Sequence, residues 1–359
     1  MAAEQSPAPV PLLQNNIFSA AIRDIYNAFQ QRRDALGLSN PGTVENISRE
    51  VQRDVLVTNF MFQGLRADLT KAFSISPVFQ ISHNLSMGSQ AMPPYQFGAL
   101  FGNPSVFLQG GIDNDGQMNG IFNYRWTSAL VSKSQMQLAP DQAMLSFENV
   151  YTGKDFSASI KSINPSLMEG GLTGLFMASY LQSVTPSLAL GVDAVWQRQG
   201  LDRGPDTAVS YSARYKKEDW ILSGQYAAQG ILQTSFWRRI TEKVEAGVDM
   251  NLQFAPGLGP RGGGMMGAAM QKEGSTSVGA KYTFRNSTFR AQVDSTGRVG
   301  CVLERRVATL VNLTFAGEID QPKKQAKIGL AVSIEAAGDD ILEQQEKAMG
   351  GDTPTPPPY

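Results

Sequence analysis

From Val55 almost to the end of the chain, apolar and polar residues alternate with a period of two, run after run. Val244, Ala246, Val248, Met250, Leu252 and Phe254 alternate with Lys243, Glu245, Gly247, Asp249, Asn251 and Gln253. Leu188 to Trp196, Val278 to Phe284 and Ile328 to Ile334 repeat the pattern. Successive side chains of a strand point to opposite faces, so each run is a strand with one greasy and one wet face. Turn signals break the runs: Asp113 to Gly116, Thr152 to Asp155, Lys216 to Asp219, Arg285-Asn286 and Ser295 to Gly297. They recur every ~10–15 residues and give about nineteen strands between Val55 and Ala336. A soluble sandwich of this size would carry some strands apolar on both faces, and so long a sheet left open would expose edges that aggregate. The pattern therefore predicts an all-β fold, a closed transmembrane β-barrel with lipid outside and water inside.

Composition fits this. Hydrophobic residues make up 42% of 359, and the mean hydropathy is −0.20. No apolar run approaches the ~18–20 residues that a membrane helix needs, whereas a barrel hides its apolar surface in alternation. A net charge of −1 gives no reason to expect a nucleic-acid partner. A single cysteine, Cys301, removes thiolate metal clusters, and a single histidine, His83, removes most zinc and histidine chemistry. Met1 to Pro11 shows neither a basic nor an apolar signal region, which reads against secretion and so against a bacterial outer membrane.

The N-terminal part, residues 1–54, has its own pattern. Pro7, Pro9 and Pro11 mark a disordered start, and Ile17, Ala21, Ile25, Ala28 and Phe29 recur at helical spacing up to Gly37. A second helix is expected from Thr43, as N-cap, to Val55, with Val44, Ile47 and Val51 on one face. The barrel is then expected over 55–336. The rest, 337–359, is read as a short acidic helix from Asp339 to Met349 and a proline-rich tail. Ala255 to Gly274, rich in Gly and Met, reads as a flexible loop.

Four segments carry a resemblance: Asn40-Pro41-Gly42-Thr43-Val44-Glu45-Asn46, Gly64-Leu65-Arg66-Ala67-Asp68-Leu69, Leu181-Gln182-Ser183-Val184-Thr185-Pro186 and Val278-Gly279-Ala280-Lys281-Tyr282. In them the chain resembles the β-barrel subunit of the translocase of the outer mitochondrial membrane, in its fungal form, a family related to the voltage-dependent anion channel. The resemblance implies nineteen strands with the first and last parallel, one N-terminal helix inside the pore, and both termini toward the intermembrane space. It implies a channel for unfolded precursor proteins, and no enzyme or cofactor. The implied partners are a tail-anchored central receptor, small helical subunits, peripheral presequence receptors, membrane phospholipid and a second barrel in a homodimer. It also implies a sorting signal in the last strand, matched by Lys327, Gly329, Val332 and Ile334.

Size supports such a role. Nineteen strands about 4.8 Å apart and tilted ~40° give a backbone diameter of about 35–40 Å and an open width of about 20–25 Å. A helix about 10–12 Å across fits beside an internal helix, and a folded domain does not. Mitochondrial presequences are basic and amphipathic, so the expected path is acidic. Strand parity nominates Glu245, Asp249, Glu304, Glu318 and Glu335 in the lumen, with Asp113 and Asp115 at a pore mouth. The same residues also read as ordinary solvated charges balanced by Lys161, Arg214, Lys281 and Arg290. Parity places Arg305 on the lipid side with Val299, Cys301 and Leu303. With Lys71 it is a candidate contact for a lipid phosphate or another subunit. Trp126, Trp196, Trp220 and Tyr226 fit interfacial girdles. Gly257-x-Gly259-x-x-Gly262 matches a dinucleotide fingerprint in letters only, since Pro260 interrupts it and no βαβ unit surrounds it. The competing functions are a metabolite porin of the anion-channel type and a soluble β-scaffold.

Overall fold

The structure, a computed structural model, describes residues 33, 36–89, 92–140, 142–168, 171–200, 204–227, 230–254, 272–308 and 310–337. Nineteen strands follow one another. They are β1 (Gly64–Ile75), β2 (Val78–Met87), β3 (Tyr95–Gly102), β4 (Val106–Asp113), β5 (Met118–Arg125), β6 (Leu130–Ala139), β7 (Gln142–Thr152), β8 (Phe156–Met168), β9 (Gly171–Ser183) and β10 (Leu188–Arg198). The second half is β11 (Asp206–Lys216), β12 (Trp220–Ala227), β13 (Ile231–Thr241), β14 (Val244–Phe254), β15 (Lys272–Thr283), β16 (Ser287–Asp294), β17 (Arg298–Ala308), β18 (Val311–Asp320) and β19 (Gln325–Ala337). Sequence neighbours pair throughout, and β1 pairs with β19 in parallel, Gly64 opposite Gly329 and Ala72 opposite Ala337. The sheet is a closed barrel, with the strand number and parallel seam expected.

Alternation decides which way each side chain faces. Leu65, Leu69, Leu190, Val192, Tyr211 and Val278 stand exposed on the outer face, while Ser146, Glu148, Ser210, Ser223, Arg290 and Gln292 are buried inside. Apolar outside and polar inside inverts the order of a soluble protein and suits lipid. No helix of the described residues is long and apolar enough to cross a membrane. We call the end where β1 begins the upper mouth and the end where it finishes the lower mouth. Trp126 and Trp220 sit at the lower mouth, and Trp196 and Tyr226 toward the upper one.

Several boundaries differ from the sequence reading. The first strand starts at Gly64, not Val55, because Leu56, Val57, Phe60, Met61 and Phe62 do not alternate and instead pack inside the barrel. The single helix expected over Thr43 to Val55 is two pieces, a 3-10 turn at Val44–Asn46 and a wide π-helix at Glu50–Val55. Thr43 makes no side-chain cap, since its Oγ1 accepts from Asn46 Nδ2 at 2.9 Å. The wide turn closes through Leu56 N–H to Val51 O at 2.9 Å. Lys272 to Gly274 belong to β15, not to the preceding loop. The rest of that loop, all but the end of the first expected helix, the helix at Asp339 to Met349 and both tails lie outside the described residues.

Besides single-residue shifts of register at Ala72/Ser74, Arg239/Thr241 and Arg306/Ala308, the wall is interrupted between β7, β8 and β9. The β7–β8 ladder stops at Ser146–Ile163, while β8 resumes with β9 at Ser166–Thr173. The cause is Asn164-Pro165: Asn164 has φ 47°, and proline offers no N–H. The Asn164 side-chain amide fills the gap. Its Oδ1 accepts from Leu145 N–H at 2.6 Å, and its Nδ2 donates to Ala143 O at 3.4 Å, so it replaces the missing peptide unit. Asn164→Ala leaves Leu145 N–H unpaired and should lower stability by about 1–3 kcal/mol. Hydrogen exchange in detergent checks it: Leu145 should exchange faster in the variant, and unchanged protection would show that the amide contributes nothing.

Candidate functional site

The chain before β1 runs through the lumen. It starts at the lower mouth, where Asn40 Nδ2 donates to Gly153 O at 2.8 Å and Phe156 O at 2.9 Å, and Ser183 Oγ donates to Ser39 O at 2.8 Å. Arg33 pairs there with Asp155. Gly42 takes φ 86°, a left-handed turn open to glycine, and its carbonyl accepts from Ser157 Oγ. The segment then crosses toward the upper mouth, where β1 begins. The segment expected to be the internal helix is thus inside, against one wall.

Two kinds of contact hold it. The first is a row of inward glycines. A Cβ on Gly247 would stand 3.1 Å from Val51 Cγ1, on Gly279 2.9 Å from Leu56 Cδ2, and on Gly300 3.1 Å from Val57 Cγ2. On Gly329 it would stand 2.5 Å from Phe62 O and 2.7 Å from the Phe62 ring. Only hydrogen at these positions lets β-branched and aromatic side chains lie flat on the wall. Val51, Val55, Leu56 and Val57 are accordingly almost fully buried, each contributing about 1.5–3 kcal/mol from burial. The second is a set of buried polar clamps. Arg214 donates to Pro41 O at 3.1 Å and pairs with Glu50. Arg290 donates to Asp54 O at 3.2 Å, lies over the Phe60 ring at 4.2 Å and pairs with Glu304 at 2.9 Å. Gln292 Oε1 accepts from Val57 N–H at 2.9 Å and Thr58 Oγ1 at 3.2 Å.

The acids nominated by parity do not form one patch. Glu245 lies 3.5 Å from Lys281 Nζ, Glu304 pairs with Arg290, and Glu318 lies 3.5 Å from Lys327 Nζ. Asp249 accepts from Gln52 Nε2 of the internal segment at 3.3 Å. Asp113 at the upper mouth accepts from the N–H groups of Asp115 and Gln117, which builds its turn. Asp115 and Glu335 are exposed. Lys161 and Arg214, read as balancing charges, pair with Glu45 and Glu50 of the internal segment.

Parity missed a second set. Glu45, Glu148 and Asp193 line a cavity of about 390 Å³ between the internal segment and the wall, together with Lys161, Gln225 and Ser210. Asp193 was legible, since it alternates with Val192 and Ala194, whereas at Glu148 polar Asn149 and apolar Val150 break the alternation. Glu45 was not, because only the path of the internal segment brings it there.

On the outer face, Arg305 is exposed and paired across from Leu313, as parity placed it. Lys71 is exposed in β1, 5.2 Å from the Phe73 ring. Both lie in the lower half of the barrel. His83 faces outward too, its Nδ1 2.8 Å from Tyr95 Oη. Among the residues matched to a sorting signal, Lys327 and Gly329 face inward, and Val332 and Ile334 outward.

Gly329 is therefore also the place where Phe62 rests. Gly329→Ala should push Phe62 off the wall in the refolded barrel and make a cysteine at position 62 several-fold more reactive to a water-soluble thiol reagent. If Gly329 served only sorting, the purified barrel would react as before.

Comparison with known proteins agrees with this geometry. The eukaryotic porin family model matches residues 40–329. The mitochondrial import receptor subunit tom40 of Neurospora crassa is 53% identical over 99% of this chain and 100% of its own length. The TOM40 subunit of Saccharomyces cerevisiae is 44% identical over 94% of this chain and 89% of its own, and the human homologue 24% over 83% and 79%. The chain belongs to the eukaryotic porin family and, within it, to the Tom40 group of mitochondrial import receptor subunits.

Proposed function

We propose that this chain is the protein-conducting channel of the mitochondrial outer membrane, passing unfolded, presequence-bearing precursors from the cytosol to the intermembrane space. The observation that carries the reading is a water-lined barrel narrowed along one wall by a tethered internal segment. Nineteen strands leave an opening of about 20–25 Å before the segment is counted. The segment takes about 10 Å of it. What remains admits a helix or an extended chain and rejects a folded domain.

The lumen also offers charge without trapping it. Most nominated acids sit beside a cation or within hydrogen bonds, so a basic peptide meets weak, screened attraction at several places. Weak binding at successive sites suits transit. In this reading both termini face the intermembrane space, which makes the lower mouth the exit. The barrel works with a tail-anchored central receptor, small helical subunits, peripheral presequence receptors and a second barrel. Lys71 and Arg305, cations on an apolar outer face, mark where a lipid phosphate or a neighbouring subunit contacts it.

Planar-bilayer recording of the purified chain tests the reading. Cation preference is expected, with transient block by a basic amphipathic presequence peptide. Anion preference with no block would instead favour a metabolite porin of the anion-channel type.

A further inference from the structure

The lumen has two unlike walls. On the wall that holds the internal segment, side-chain amides are engaged. Gln292 accepts from the segment, Gln52 donates to Asp249, and Gln225 Nε2 donates to Asp193 Oδ2 at 3.1 Å. The polar contacts and glycine seats of the segment go to β8, β9, β11, β14–β17 and β19 and to the β7–β8 turn.

The wall of β2–β6 is different. One inward cross-strand row reads Gln80, Leu100, Gln109, Ile121, Gln135, an amide at every second strand with an aliphatic residue between. In the next row Asn119 stands opposite Gln137. Gln109, Asn119, Gln135 and Gln137 are exposed to the lumen. Among the described residues, none of these amides has a hydrogen-bond partner within the chain. The rows carry no charge. Asp113 lies beyond them at the upper mouth, and Lys133 below them stands opposite Glu148.

A free carboxamide offers a C=O acceptor and an NH2 donor group, so it can pair with both the N–H and the C=O of a peptide unit. Inward positions along one strand, such as Gln135 and Gln137, are about 6.8 Å apart, and an extended chain presents like-facing peptide groups at that same two-residue repeat. The aliphatic residues between the amides, Leu100 and Ile121, add neither charge nor a competing hydrogen-bonding group. Counter-charge lies only at the edges of this surface, with Asp113 beside Asn119 and Gln137 at the upper mouth and Glu148 across from Lys133, while the row of Gln80, Gln109 and Gln135 has none.

We propose that the β2–β6 wall binds extended, uncharged stretches of polypeptide through their backbone amide groups, independently of sequence, apart from the acids that attract basic segments. This rests on the channel function proposed above and assigns a second substrate class to the same lumen. Uncharged stretches make up much of any unfolded chain, and a pore with only charged contacts would have nothing to guide them.

Single-channel recording with two peptide probes tests it. One probe is an uncharged polypeptide of Gly, Ser, Thr, Asn and Ala, and the other a basic amphipathic peptide. In a channel carrying Gln109→Leu with Gln135→Leu, dwell times of the uncharged probe should fall about tenfold, the loss of two hydrogen bonds. Those of the basic probe should stay unchanged, as should the open conductance. The pair Gln109→Asn with Gln135→Asn, which keeps the amides, should retain most of the dwell time. An unchanged dwell of the uncharged probe, or equal losses for both probes, would overturn the amide wall and leave the channel function standing. A native channel that neither probe blocks would overturn the channel function itself.

Discussion

Backbone hydrogen bonding is the constraint from which the rest follows. In the hydrocarbon of a bilayer an unpaired N–H or C=O costs several kcal/mol, so a sheet there must close on itself. Closure with nineteen strands requires one parallel pair, and β1 and β19 supply it from Gly64–Gly329 to Ala72–Ala337. The same demand explains Asn164. Where Pro165 removes an N–H from the wall, a side-chain amide stands in for it. Strand faces then need only alternate, because the ladder, not a packed interior, holds the barrel together.

An interior without a packed core is open to other uses, and the internal segment takes one side of it. The glycines at 247, 279, 300 and 329 let Val51, Leu56, Val57 and Phe62 lie against β14–β19, while Arg214, Arg290 and Gln292 pair with polar groups of the segment. Buried arginines are costly unless paired and hydrogen-bonded, and here each has a carboxylate and a backbone carbonyl. The outcome is an asymmetric pore, one wall committed to holding structure and the other presenting unengaged groups to what passes.

The barrel was legible because period two is a local property: Val244 to Phe254 shows which face is wet with no knowledge of its neighbours. The approximate strand number and the outward position of Arg305 follow from it directly, whereas the parallel seam is what the family resemblance implies. What stayed hidden was tertiary. Leu56 to Phe62 carries no periodic signal, so the start of the first strand was placed at Val55 instead of Gly64. The regular helix expected over Thr43 to Val55 yields to a wide turn, with Val51 and Val55 on the wall. The lumen acids were legible by face but not by partner, since Glu245–Lys281 and Glu304–Arg290 depend on strand register. The four segments that carried the family resemblance turn out to serve the segment and the seam. Asn40 and Gly42 fix its lower end, Leu181 packs under Val44, Gly279 seats Leu56, and Gly64 opens the strand that closes the barrel.

The parallel seam also constrains the path of the chain. An odd strand number closed by a parallel pair puts the two ends of the barrel at opposite mouths. β1 begins at the upper mouth, and β19 finishes at the lower one. Ser39 and Ala337 share the lower mouth because the stretch from Ser39 to Gln63 runs the length of the lumen. Outside the barrel that return would carry unpaired backbone and the charges of Glu45, Glu50 and Asp54 through lipid. The lumen is the sole wet route, so an odd barrel with both termini on one side must hold a length of its own chain. The narrowing of the pore is thus a topological consequence, and the glycine row decides along which wall it falls.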